Sequence, residues 1–263
     1  MNCNAIFSDT VFLLRGHEEE VAPKQIPEGL VSMYTLDDRI KIQDFYWNER
    51  YHGGTAMLHV WSAELVEEMV KNASLGILDG NYGSSETNHL RSALKFASTS
   101  FKDGRVLVIG SENPWVEACV LEAGAHRIVT LEYGTIKSEH PAIDTMTPHL
   151  FKQRYENGSI GTFDAIVSFS SVEHAGLGRY GDALNPWGDV LEIARAHCVC
   201  KEGGSLVLAV MDGDVDKLFF NAHRVYGPIR WPYLTTNWQQ VQREPYQDGS
   251  QRVHVFRKIS HQG

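Results

Sequence analysis

The chain has 263 residues, 43% of them hydrophobic and 22% charged, with 33 acidic against 24 basic side chains and a formal net charge of −9. That length can bury a substantial core in one large domain or one domain with an extension. The acidic balance argues against a general nucleic-acid partner, which needs a basic face to neutralise phosphates.

Four cysteines, Cys3, Cys119, Cys198 and Cys200, are too few for a disulfide framework in a chain this long. His197, Cys198 and Cys200 form "HCVC", but no second cysteine pair completes a four-ligand site, so no metal is expected. The start, "MNCNAIFSDTVFLL", has neither the basic flank and apolar core of a signal peptide nor the length of a membrane span. The expectation is a soluble protein, intracellular by preference, with the compartment open. Two sequons, Asn72-Ala-Ser74 and Asn157-Gly-Ser159, bear only on a secreted protein.

Residues 1–60 are weakly periodic. "RGHEEEVAPKQIPEG" reads as loop, "RIKIQDFYW" as a short strand or part of a cap, and "YHGGT" as a turn. A helix capped by Ser62 runs through Leu65, Val66, Met69, Val70 and Ala73, and a second begins near Ser84 or Ser85 and buries Leu90, Ala93, Leu94 and Ala97. Glu86 falls in its first turn, where a carboxylate complements the positive helix end. The alternative is that "GNYGSSE" folds over a ligand, with Tyr82 and Glu86 facing it.

Val106–Ile109 is an apolar run ending at Gly110, and Arg127–Leu131 is another ending on Glu132. Between them a helix starts at Pro114, buries Val116, Cys119, Val120 and Ala123, and stops at Gly124. Strand, turn, helix, strand opens a doubly wound sheet, which binds ligands beyond the carboxyl ends of its strands. A third strand over Ala142–Met146, a helix from Pro148 to near Gly158, and a fourth strand in "FDAIVSFSSVEH" follow. The next helix is expected to bury Trp187, Val190, Leu191, Ala194 and Cys198 before the fifth strand, "GGSLVLAVMDGD". "DKLFFNAHRVYG" reads as a late helix, and "WQQVQRE" with "RVHVFRKI" as an antiparallel hairpin on the sheet edge.

This order resembles the class I S-adenosylmethionine-dependent methyltransferase fold over about residues 84–258, carried by "VLVIGS", "VTLEY", "FDAIVSFSSVEH" and "KEGGSLVLAV". More narrowly, "VIGSENPWVEA", "TLEY", "SSVEHAGLGRYGDALNPWGD" and "NAHRVYGP" resemble the family known as domain of unknown function 268, which carries no established activity. The resemblance implies an α/β fold: a doubly wound, mostly parallel sheet with an antiparallel C-terminal hairpin. Its domains would be an N-terminal extension and cap over 1–83 and a Rossmann-like, methyltransferase-type domain over 84–263.

The resemblance also implies S-adenosylmethionine as cofactor, held around Gly110, Ser111, Glu132, Tyr133 and Ser170. Glu132 takes the ribose-binding acidic position, and a carboxylate at that strand end can accept the ribose hydroxyls; it is otherwise a polar strand end. The methyltransferase first loop usually reads Gly-x-Gly-x-Gly, whereas here Gly110 is followed by Ser111-Glu112-Asn113-Pro114-Trp115. Glu112 suits a sulfonium cation better than a pyrophosphate, which it repels.

Glu173 and His174 are the candidate catalytic pair. Histidine's ordinary pKa near neutrality makes it a base, with Glu173 orienting it or acting itself; the plainer alternative is a cap for the next turn. Arg179, Tyr180, Asp182 and Arg224 are candidates for recognising an oxygen-rich substrate, and surface salt bridges are the alternative for the arginines. The reading is therefore a methyltransferase with a small-molecule or glycan-like acceptor. The alternatives are a non-catalytic Rossmann-like binding or scaffold protein, or a nucleotide or nucleotide-sugar enzyme. Oligomeric state is not legible.

Overall fold

The computed structural model describes residues 1–9, 23–46, 59–180, 182–243 and 251–259. In chain order, α1 (Cys3–Ser8), α2 (Val31–Thr35), β1 (Lys41–Asp44), β2 (His59–Trp61), α3 (Ala63–Ser74), α4 (Ser84–Phe96) and α5 (Ser98–Phe101) precede the first core strand. Next come β3 (Arg105–Ile109), α6 (Trp115–Glu122), β4 (Arg127–Leu131), β5 (Ile136–Ser138), β6 (Ile143–Met146), α7 (Pro148–Glu156) and β7 (Phe163–Phe169). The last part holds α8 (Gly188–Val199), β8 (Cys200–Val210), β9 (Lys217–Phe220), β10 (His223–Val225), α9 (Trp231–Leu234), β11 (Trp238–Arg243) and β12 (Arg252–Lys258). The expected turn at "YHGGT" lies outside the described residues.

The chain divides into two compact units, one of residues 58–169, 199–209 and 237–263, the other of residues 1–57, 170–198 and 210–236. The first unit contains a seven-stranded sheet in the order β11-β12-β8-β7-β3-β4-β6. Its pairs β3/β4, β3/β7, β4/β6 and β7/β8 are parallel, and β11/β12 is an antiparallel hairpin at one edge. This is the doubly wound, mostly parallel sheet with an antiparallel C-terminal hairpin that the sequence implies. β3 and β4 are buried at every position after their first arginine, as strands covered on both faces must be.

Local chemistry sets the helices of this unit. The Ser62 hydroxyl accepts the Leu65 N–H and starts α3. α6 buries six consecutive residues from Trp115 to Val120, so it is enclosed rather than amphipathic. Gly124 stops it at φ 97°, a conformation that a Cβ disfavours. A short parallel pair, β2 with β5, was not expected. The sequence boundary between residues 83 and 84 runs inside this unit, since β2 and α3 belong to it.

The second unit carries a small sheet in the order β1-β9-β10. Here the expected late helix is a hairpin: β9 and β10 pair antiparallel, and β1 runs parallel to β9. The physical reason is period. Leu218 and Phe220 are buried while Lys217 and Phe219 are not, and leucine and phenylalanine alternating in this way fit a pleated surface.

The buried face of α8 also differs from expectation. Trp187, Val190, Leu191, Ala194 and Cys198 are each half-exposed, while Asp189, Ile193 and Ala196 point inward. Asp189 accepts two hydrogen bonds from Arg230 (2.8 and 2.6 Å) and one from Tyr226 Oη (3.0 Å), so a fully buried carboxylate is satisfied. These partners lie 37 and 41 residues away, beyond the reach of local periodicity. Cys198 is joined to Cys3 by a disulfide within this unit, with a Cα–Cα distance of 5.7 Å. Among the described residues no helix is long and apolar enough to cross a membrane.

Candidate active site

In the seven-stranded sheet β3 is flanked by β4 and β7, so the strand order reverses at the carboxyl ends of β3 and β7, where doubly wound sheets bind ligands. Ser168 Oγ donates to Ile109 O (3.1 Å) and ties these ends together. Beyond Ile109 the chain turns at Gly110, whose φ of 70° brings bare backbone to the sheet edge. The Gly110 N–H donates to Leu131 O (2.9 Å). The Ser111 N–H donates to Glu132 Oε2 (3.0 Å), while Glu132 Oε1 accepts from the N–H groups of Tyr133 (2.7 Å) and Gly134 (3.4 Å). Gly110, Ser111, Glu132 and Tyr133 are thus brought together. Burial raises the Glu132 carboxyl above the usual range, and the three N–H groups oppose that rise.

Glu117 is a site residue that the sequence reading missed. It is fully buried on α6, and its Oε1 accepts from Thr130 Oγ1 (2.7 Å). Ser111 Oγ lies 2.9 Å from both Asn113 O and Glu117 Oε2. The Ser111 hydroxyl is the donor, its one proton shared between the two acceptors. Burial pushes the Glu117 carboxyl up to about 7, and the Thr130 and Ser111 hydroxyls oppose that rise. The signal was a lone glutamate inside the otherwise apolar run "WVEACV".

Tyr82 stands beside the same loop, its ring 5.4 Å from Phe169 and 6.4 Å from Trp115, and these two rings meet edge-on at 4.8 Å. Asn113 Nδ2 donates to Asn81 Oδ1 (3.2 Å), and Trp61 Nε1 donates to Glu112 O (3.1 Å), pinning the loop from both sides. Glu86 is buried in the first turn of α4, 4.0 Å from His89 Nδ1, and its Oε2 has no hydrogen-bond partner.

The remaining candidates lie in the other unit and form one cluster there. Ser170, grouped with the cofactor site in the sequence reading, donates from Oγ to Glu173 Oε1 (2.9 Å). His174 Nδ1 lies 2.7 Å from Ala222 O, so Nδ1 carries the proton and Nε2 keeps its lone pair. Arg179 Nη1 is 3.3 Å from His174 Nδ1, and the His174 and Tyr180 rings meet edge-on at 5.5 Å. Burial and the Arg179 charge push the His174 pKa down to about 3, so the near-neutral base read from sequence is not present.

Asp182 accepts the N–H groups of Gly176 (2.7 Å), Gly178 (3.3 Å) and Tyr180 (3.2 Å) and shapes the "GLGRY" loop. Arg224 is buried, donates to Ala175 O (2.7 Å) and Glu173 O (3.5 Å), and pairs with Asp189 at 3.6 Å. Its charge is thus turned to the protein interior.

A doubly wound sheet with a carboxylate clasping its first turn is the class of site just described. The family described as Caenorhabditis protein of unknown function, DUF268, matches residues 103–258, and the chain belongs to that family. No curated protein resembles the sequence closely enough to match. Among solved structures, a Burkholderia thailandensis 1,6-didemethyltoxoflavin-N1-methyltransferase with bound S-adenosylhomocysteine is 16% identical, covering 74% of this chain and 88% of its own at a TM-score of 0.48. The N-methyltransferase NodS from Bradyrhizobium japonicum WM9, in complex with S-adenosylhomocysteine, is 15% identical over 75% of this chain and 98% of its own, at a TM-score of 0.47. Identities and superpositions at this level transfer neither ligand nor acceptor.

Proposed function

We propose that the chain is an S-adenosylmethionine-dependent methyltransferase acting on a small-molecule or glycan-like hydroxyl. The observation that carries this reading is Glu132, at the carboxyl end of β4, hydrogen-bonded to the chain immediately after the left-handed Gly110. Three backbone N–H groups take three of the roughly four acceptor positions of a carboxylate, leaving one on Oε2 for a ribose hydroxyl. Glu112, in the turn itself, suits a cationic ligand and opposes a pyrophosphate. The exposed ring of Tyr82, packed on the buried Trp115 and Phe169, adds an aromatic face of the kind that attracts a sulfonium.

Bound there, S-adenosylmethionine supplies an electrophilic methyl group on sulfur. The chain's own residues would bind and orient. Glu132 and Ser111 hold the turn, and Tyr82 covers it. In the other unit, neutral His174 keeps an Nε2 lone pair for a hydroxyl proton and, with so low a pKa, orients a hydroxyl more than it ionises it. Glu173, 3.9 Å from Nε2, biases the ring. Arg179 and Tyr180 are assigned to the acceptor's oxygens.

A second reading, a non-catalytic binding protein, draws on Glu112 and Pro114, which stand where the later glycines of a Gly-x-Gly-x-Gly loop beginning at Gly110 would lie. Competition binding of S-adenosylhomocysteine to the folded chain and to Glu132→Ala separates the two. Loss of the one ribose hydrogen bond to this carboxylate, about 1.5–3 kcal/mol, predicts a weakening of roughly ten- to a hundredfold. Equal affinity in both proteins would remove Glu132 from the site.

A further inference from the structure

The sequon at Asn157 and the Cys3–Cys198 disulfide lie outside the site described above. Disulfides form and persist in oxidising compartments, the same compartments in which asparagine sequons are glycosylated. Cys119 and Cys200 are buried free thiols with pKa values pushed up to about 12, which leaves Cys3 and Cys198 as the one pair joined among the four cysteines.

The two sequons sit differently in the fold. Asn72 lies within α3, half-buried, with its backbone fixed in the helix. Asn157 caps the end of α7, and Asn157, Gly158 and Ser159 are all exposed. Gly158 turns the chain outward at φ 74°. The Ser159 N–H donates to Asn157 Oδ1 (3.0 Å), which fixes the amide with its oxygen toward the backbone. The bond uses the oxygen, so substitution at Nδ2 leaves it intact. An added Cβ at Gly158 meets nothing within 4 Å, so the turn is also sterically open.

We propose that Asn157 is an N-glycosylation site and that the chain matures in an oxidising, secretory-type compartment. The donor is a lipid diphosphate-linked oligosaccharide. Asn157 Nδ2 forms a bond to the anomeric carbon, the carbon–oxygen bond to the diphosphate breaks with its electron pair leaving on the lipid diphosphate, and Nδ2 gives up one proton. The oligosaccharide then projects from the α7 turn, while Asn72 stays unmodified.

The test is peptide mapping of the natural protein after enzymatic deglycosylation in heavy-oxygen water, with a parallel non-reduced digest. The expected result is Asn157 converted to labelled aspartate, Asn72 unchanged, and a linked peptide pair holding Cys3 and Cys198. In the full chain secreted from eukaryotic cells, Asn157→Gln and Ser159→Ala each abolish the glycan-dependent gel shift and Asn72→Gln leaves it. Bare Asn157 in the natural protein overturns the proposal whatever the state of the cysteines. So does a gel shift that persists in Asn157→Gln.

Discussion

Glu117→Gln isolates the buried carboxyl beneath the Gly110 loop. The Glu117 pKa is raised from 4.5 to about 7 by burial. A shift of about two and a half units corresponds to roughly 3 kcal/mol. Its sign is set by linkage: below the unfolded value both states are protonated and nothing is lost. As the pH rises from about 4.5 to about 7 the unfolded chain ionises first, so stability falls, and above that range the loss is complete. Glutamine keeps the shape, accepts from Thr130 and donates to Ser111 Oγ, but does not ionise. Relative to the parent chain, Glu117→Gln is therefore expected to gain about 2 kcal/mol on going from pH about 5 to pH about 8. Urea midpoints measured across that range read the difference directly. A difference between the two proteins that stays constant with pH would refute the raised pKa of Glu117.

Three further outcomes follow from buried contacts. Asp189→Ala leaves Arg224 and Arg230 without their buried counter-charge and should cost about 3–5 kcal/mol in urea unfolding, while a loss under about 1 kcal/mol would deny that the network is paired as described. Gly80→Ala adds a Cβ 2.7 Å from the Trp115 ring at a φ of 59°, so a loss of about 1–3 kcal/mol is expected, and an unchanged thermal midpoint would contradict that packing. Cys198→Ser opens a disulfide spanning 195 residues and should cost about 2–4 kcal/mol under non-reducing conditions, with no difference between the proteins once both are reduced.

The parallel sheet was legible because its strands are short, apolar on both faces and bounded by glycine or polar residues, as at Val106–Ile109 before Gly110. The cap at Ser62, the stop at Gly124 and the C-terminal hairpin were legible for the same local reasons. The second unit was legible only in part: the strand in "RIKIQDFYW" is β1 and the helix before β8 is α8, but the β9–β10 hairpin was read as a helix. "LFFNAHRV" contains helix-like spacing, and its strand pairing depends on β1, more than 170 residues earlier in the chain. The buried face of α8 was misread because Asp189 is satisfied only by Tyr226 and Arg230. Glu117 was passed over because a charge in an apolar helix becomes meaningful once Ser111 and Thr130 are known to meet it. The pKa of His174 depends on burial and on Arg179, and neither is visible in "VEHAG".

The central claim is that the turn at Gly110 and Glu132 holds S-adenosylmethionine, and calorimetric titration of the full chain with S-adenosylmethionine and S-adenosylhomocysteine tests it most directly. The account predicts saturable heat with both, abolished or strongly weakened in Glu132→Ala while that variant's thermal midpoint shows it still folded. No heat and no thermal shift at about millimolar ligand, equivalent to a binding free energy weaker than about −4 kcal/mol, would contradict it.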